Sequence, residues 1–241
     1  GLDPYITTSS QAAVVALACF HASGFVRERA VRLLAAQSDG DELPFLLLRV
    51  NDWVGPVREA AMAALRARLV PAYAMAFVRC LPLVEALRGE RRVAHAALLA
   101  EIDLLLRGGT AWSALGEALR AGSRPVRRAA ARIAATTGDP VLIFSAATDL
   151  DPLVAAVGAR AITTTWSDGA LREVLPRLRR GAPGVRWLAL AATCDRFPGE
   201  AEPYLRAALL DRATSVRELG RYRWARVGLA PLDFAAFYRE A

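Results

Sequence analysis

Apolar residues recur along this chain at the spacing of one helix face. In GPVREAAMAALRARL (55–69), Val57, Ala61, Ala64 and Leu65 stand at offsets 0, +4, +7 and +8, the stripe of an amphipathic helix. The same start, a Val followed four residues later by Ala or Gly, recurs at Val26, Val93, Val126, Val154, Val185 and Val216. The small partners are Ala30, Ala61, Ala97, Ala130, Gly158, Ala189 and Gly220, and successive anchors lie 31, 36, 33, 28, 31 and 31 residues apart. Arg follows the anchor in five of seven units, as Arg27, Arg58, Arg127, Arg186 and Arg217. One such match means little in an Ala-rich chain; seven in near register are a repeat.

Each period divides in two. Before the anchored helix stands a second amphipathic segment, for example DELPFLLLRVN (41–51), GTAWSALGEALR (109–120), DGALREVLPRLRR (168–180) and GEAEPYLRAALL (199–210). Asp139-Pro140 and Asp151-Pro152 read as an N-cap followed by a first-turn proline. Gly108, Gly122, Gly138 and Gly181 stand where helices should stop. PAYAMAFVRCLPLVEALRG (71–89) reads as a longer first helix kinked at Pro82. The small residue at +4 lets two helix backbones approach where they cross. One helix pair cannot bury its apolar faces, whereas stacked pairs can. The expectation is an all-α chain, a right-handed α-solenoid of about seven helix pairs forming one domain over residues 1–241.

Composition sharpens the class. Hydrophobic residues make up 54% of 241, much of it Ala and Leu, and strand-forming runs are scarce. No apolar stretch approaches the ~18–20 residues of a membrane span, so no membrane partner is expected. QAAVVALACF (11–20) is short, and VAHAALLAEIDLLL (93–106) is interrupted by His95, Glu101 and Asp103. The sequence shows no basic leader with an apolar core and cleavage site. Cys19, Cys80 and Cys194 have no metal spacing and read as buried free thiols, which predicts a cytoplasmic location. A start at Gly1 fits a piece of a longer chain.

The formal charge is +7, from 31 basic and 24 acidic residues. Every basic residue is Arg, and Asn51 is the only Asn. With abundant Ala, Gly and Pro, that skew matches the coding bias of a GC-rich genome, and Arg also supplies a planar fork for carboxylate and phosphate. The excess favours an acidic partner mildly.

The pattern resembles HEAT-type repeats, in particular the short bacterial HEAT-like units related to those of phycobilin lyases. The residues that carry it are Asp52, Val57, Arg58 and Ala61, and again Asp211, Val216, Arg217 and Gly220. The resemblance runs from about Ser9 to the end. It implies that the second helix of each pair lines a concave side, and that the loop Asp and the Arg after Val link neighbouring repeats into a ladder. Ala94 and Ala155 replace that Arg in units three and five, so the ladder is interrupted.

Two roles are open to Arg27, Arg58, Arg127, Arg186 and Arg217: an anion-binding stripe, or pairing between repeats with Asp52, Asp211 and helix-end carbonyls. The candidate binding positions lie at +2 and +6 of the second helices and include His95, Arg128, Arg132, Arg160, Trp187 and Tyr222. Basic groups beside aromatics suit a protein segment, a nucleic acid backbone or a flipped base. The same residues also fit a solvated Arg-rich face with Trp187 tucked between repeats. VRELGRYRWARVG (216–228) mixes Arg with Tyr222 and Trp224, as nucleic-acid binders do, but spreads them over several faces and reads as a terminal capping repeat. His21 and His95 lack metal-spaced partners, so no metal and no cofactor is expected. There is no Gly-rich phosphate loop and no nucleophile elbow. Glu101 and Asp103 are the mid-array acids available as a general base, and a fold-stabilising role suits them better.

The function expected is a non-catalytic protein-interaction scaffold binding an acidic protein on its concave face. The resemblance also carries two other classes. One is a nucleic-acid-binding HEAT-like protein, including the alkylpurine DNA glycosylase type, for which no central Asp is evident. The other is a phycobilin-lyase-like role.

Overall fold

In the computed structural model, residues 13–90 and 95–240 are described. The anchor Val93 and Ala94 lie outside them. Among the described residues every regular element is a helix, and no single helix is long and apolar enough to cross a membrane. The chain divides into two compact units, Gly1–Ile133 and Ala134–Ala241.

The first unit holds α1 (Gly24–Ala35), α2 (Leu43–Arg49), α3 (Gly55–Arg66), α4 (Ala74–Arg79), α5 (Leu81–Arg88), α6 (Ala96–Arg107) and α7 (Trp112–Ala121); α8 (Arg124–Ala134) ends at the division. The second helices α1 and α3 pack directly on each other, with α2 against both. Val57, Ala61, Ala64 and Leu65 are all buried, so the stripe read from the sequence is the core face of α3. The 71–89 segment is not one kinked helix. After a 3-10 turn at Pro71–Tyr73, α4 and α5 are separate helices hinged at Cys80 (φ −90°, ψ 3°). Pro82 has no N–H, and its ring excludes the carbonyl four residues back. The Cys80 carbonyl instead accepts from Leu83 N–H (2.9 Å) and Val84 N–H (3.1 Å), opening α5.

The third repeat departs from the expected register. Its buried residues are His95, Leu98, Leu99, Ile102 and Leu106, whereas Ala97, expected at the helix crossing, is exposed. Counted from His95 these lie at 0, +3, +4, +7 and +11, close to Val57, Ala61, Ala64, Leu65 and Arg68 at 0, +4, +7, +8 and +11. His95 therefore takes the buried anchor place, and a Leu stands at +4. In an Ala/Leu-rich helix several phases satisfy the same spacing, and packing of the larger Leu and Ile side chains selects one of them.

The second unit holds α9 (Pro140–Ala147), α10 (Pro152–Thr165), α11 (Asp168–Leu178), α12 (Pro183–Arg196), α13 (Glu202–Leu209), α14 (Thr214–Trp224) and α15 (Phe234–Glu240). The second helices α10, α12 and α14 pack in succession, with α9 on α10 and α13 on α14. The caps are as expected: Asp139 accepts from Leu142 N–H at 2.7 Å and Asp151 from Leu153 N–H at 3.0 Å. Gly138, at φ +76°, takes the left-handed turn that leads into Asp139.

The crossing of α9 and α10 depends on Gly158. A Cβ there would lie 2.3 Å from Ala147 N and 2.7 Å from Ile143 O. At the C-terminal end, Leu232, Phe234, Phe237 and Tyr238 pack against the cluster of Leu205, Leu209, Val216 and Trp224. Trp224 Nε1–H reaches Ala230 O at 2.8 Å, so this Trp closes the apolar core and is not part of an open aromatic surface. Cys19, Cys80 and Cys194 are free and buried; burial pushes the Cys80 and Cys194 thiols up to about 11.

Candidate functional site

The arginines after the anchors share one local geometry. Each donates from Nη1 to a carbonyl five or six residues earlier, at the start of its own helix. Arg27 reaches His21 O and Ala22 O, Arg58 reaches Asp52 O and Trp53 O, and Arg127 reaches Gly122 O. Arg186 reaches Gly181 O, and Arg217 reaches Asp211 O and Arg212 O. Arg27 and Arg186 also form forked pairs with the Asp of the following repeat. Arg27 Nε and Nη2 donate to Asp52, both at 2.8 Å, and Arg186 Nε and Nη2 donate to Asp211 at 2.8 and 2.6 Å. Such charge-assisted forks fix position as well as adding energy. Each Asp turns back to its own loop as well, Asp52 accepting from Val54 N–H and Asp211 from Ala213 N–H.

Burial pushes the Asp52 carboxyl up, but hydrogen bonds from Arg27 and Val54 N–H and the charges of Arg27 and Arg49 outweigh it and hold it below the usual 3.8. The hydrogen bond from Arg186 does the same for Asp211. The ladder arginines are thus held within the fold, and that occupation favours the pairing role over an anion stripe.

The six candidate binding residues are distributed over both units. His95, Arg128 and Arg132 belong to the first unit, and Arg160, Trp187 and Tyr222 to the second. His95 is 3% exposed at the N-cap of α6, with Nε2 3.5 Å from Asn51 Oδ1 and no partner for Nδ1, so it is not an open binding residue. Arg128 is half-buried, and Arg132 is exposed and paired with Glu85 at 2.8 Å. On the successive helices α10, α12 and α14, Arg160 is exposed, Trp187 is 38% exposed and Tyr222 is 53% exposed. The Arg226 guanidinium lies 4.1 Å from the Tyr222 ring centroid. Both mid-array acids are paired, Glu101 with Arg66 and Asp103 with Arg88, as a fold-stabilising role requires. Among the described residues no three His, Cys, Asp or Glu gather as a metal site.

Burial lowers the His95 pKa from 6.5, and the nearby Arg58 adds to this while Glu90 opposes it. The neutral form is thus favoured in the fold. The stability it carries is complete above pH 6.5 and declines as pH falls toward the depressed folded value. We expect His95→Leu to lessen the fall of the denaturation midpoint that the wild type shows as pH drops below 6.5. The Asp52 and Asp211 pairs contribute above the usual carboxylate value of 3.8 and are lost only as pH falls below it.

Two features carried no sequence signal. Phe25, in the first turn of α1, and Trp53, in the loop before α3, are 87% and 70% exposed, with the Arg27 guanidinium 5.3 Å from the Trp53 ring centroid. The second unit also holds a cleft of about 100 Å³ lined by Arg179, Arg186, Tyr204 and Asp211 with the apolar Leu190 and Val216. Arg179 follows α11 in a Leu-Arg-Arg run, where nothing in the sequence separates it from the solvated Arg180 beside it. Compared with known families and with curated proteins, the chain matches no family model and no curated relative.

Proposed function

We propose that each unit is a stack of HEAT-like helix pairs, parts of a right-handed α-solenoid, and that the chain serves as an interaction module for an acidic protein partner. The reading rests on the division of labour among its Arg and aromatic residues. The ladder arginines are occupied by Asp52, Asp211 and helix-start carbonyls, while Arg160, Trp187 and Tyr222 stay open on the three consecutive helices α10, α12 and α14. Trp, Tyr and Arg are the residues that most often dominate binding energy at protein interfaces. The net charge of +7 makes acidic surfaces the better complement. A bacterial, cytoplasmic scaffold is the setting this reading fits.

The test is affinity capture followed by measured binding of the recovered partner. Trp187→Ala together with Tyr222→Ala is expected to weaken the complex by about 2 kcal/mol or more, some thirtyfold. Both residues are partly exposed, so the fold should tolerate the change. Equal affinity of wild type and variant would sink the reading. Binding of a labelled DNA duplex with a steep salt dependence, and no protein partner, would replace it with the nucleic-acid class.

A further inference from the structure

We propose that the cleft beside Arg179 is a carboxylate pocket that takes an acidic group of the bound protein partner; this deepens, and rests on, the interaction-module reading. Three observations meet there. First, the cation is uncompensated. Among the described residues no carboxylate reaches Arg179: Nη2 donates to the neutral Thr193 Oγ1 at 2.9 Å, and the buried Nε has no partner. The carboxylates around it are engaged elsewhere, Asp211 with Arg186 at 2.6 Å and Glu200 with Arg172 at 2.7 Å. The cleft therefore keeps one positive charge in excess.

Second, the guanidinium is held in place. Its carbon lies 3.3 Å from the Tyr204 ring centroid, a cation–π contact that restrains it. The contrast with Arg68 is direct. That arginine also has an aromatic neighbour, Tyr73, at 5.7 Å, but is neutralised by Glu42 and caps the carbonyls of Ala64, Ala35 and Gln37. Arg68 fulfils a structural role; Arg179 holds a charge with no internal counterpart. Burial accordingly lowers the Arg179 pKa, against the pull of Tyr204 and Glu200.

Third, the walls are mixed: the apolar Leu190 and Val216 stand beside the charged Arg179. That suits a carboxylate and its adjoining methylene, the head of an Asp or Glu side chain or a chain terminus. A planar fork meets a planar carboxylate with two parallel hydrogen bonds, which a Lys cannot reproduce.

The probe is a labelled, N-acetylated hexaglutamate titrated into the full chain, with hexaglutamine as the neutral control. Wild type is expected to bind hexaglutamate and not hexaglutamine. Arg179→Met and Arg179→Lys are each expected to weaken it tenfold or more. Arg179→Met should unfold at the wild-type denaturant midpoint or above it, since a half-buried charge without a counter-ion is removed. Hexaglutamate with a free or an amidated C-terminus separates a terminal carboxylate from a side-chain one, and either supports the pocket. The inference is overturned if wild type ignores hexaglutamate, if Arg179→Met binds it unchanged, or if Arg179→Met lowers the midpoint as far as Arg68→Met does. An unchanged Arg179→Met alongside a weakened Trp187/Tyr222 variant would remove the pocket and leave the interaction module standing. The converse result would remove the α10, α12 and α14 face and leave the pocket.

Discussion

Gly158→Ala is expected to destabilise the protein by about 3 kcal/mol, although the same change in an open helix would stabilise it. Gly in a helix interior is about 1 kcal/mol less favourable than Ala, so the intrinsic term favours the substitution. At Gly158 the new methyl would stand 2.3 Å from Ala147 N, 2.7 Å from Ile143 O and 2.8 Å from Ala146 C. All three are backbone atoms of α9, which no rotamer change can move, so α9 and α10 must separate. Separation opens the shared core around Ile143, Ala155 and Ile162. Gly220 occupies the same +4 place in the last repeat and serves as the control. There the nearest atom is the Ala208 methyl at 3.3 Å and the next is Leu209 Cδ2 at 3.5 Å. Gly220→Ala is expected to be neutral or stabilising by up to about 1 kcal/mol. Denaturant midpoints of the two variants decide the matter, and equal shifts would refute the close crossing.

Arg68→Met is expected to cost about 3–5 kcal/mol. Arg68 and Glu42 are 5% and 1% exposed and form an ion pair through Arg68 Nε. Arg68 also donates to Ala64 O at 2.8 Å and Ala35 O at 3.0 Å, tying the end of α3 to the end of α1. Glu42 in turn accepts from Gly40 N–H at 2.8 Å, holding the turn in which Gly40 has φ +91°. Removing the cation leaves Glu42 charged in a dry place and releases several carbonyls. Arg68→Met with Glu42→Leu is expected to recover part of the loss, because the orphaned charge goes. The carbonyls stay unmatched, so recovery is incomplete. A double variant no better than the single one would show that the carbonyl contacts, and not the ion pair, carry the effect. Thermal or denaturant unfolding reads both.

The helical character, the caps and the crossing glycine were legible because each follows from a local rule. Asp139 and Asp151 cap the helices they precede, and the proline after each supplies a first turn that lacks only a hydrogen bond it never needed. The resemblance to HEAT-type repeats implied that the loop Asp and the Arg after Val link neighbouring repeats, and Arg27–Asp52 and Arg186–Asp211 are such forks. The third repeat was misread, since the Val-x-x-x-Ala pattern at Val93 and Ala97 is also met by chance in an Ala-rich helix. His95 looked like an open ligand in that phase and is buried in the observed one.

By itself, then, the sequence determined what short-range physics decides: the helices, most of their apolar faces, where most begin, and the close crossing at Gly158. Only the tertiary structure decided which charges are compensated. Arg68, Arg179 and Arg180 are the same letter in similar helix-end contexts. One meets a buried carboxylate from a segment 26 residues away, one meets only Thr193 and Tyr204, and one stays exposed in solvent. The periodicity also passes the division between Ile133 and Ala134 without a mark. Ion pairing and compactness depend on distances between segments far apart in the chain, and a period along the sequence does not encode them.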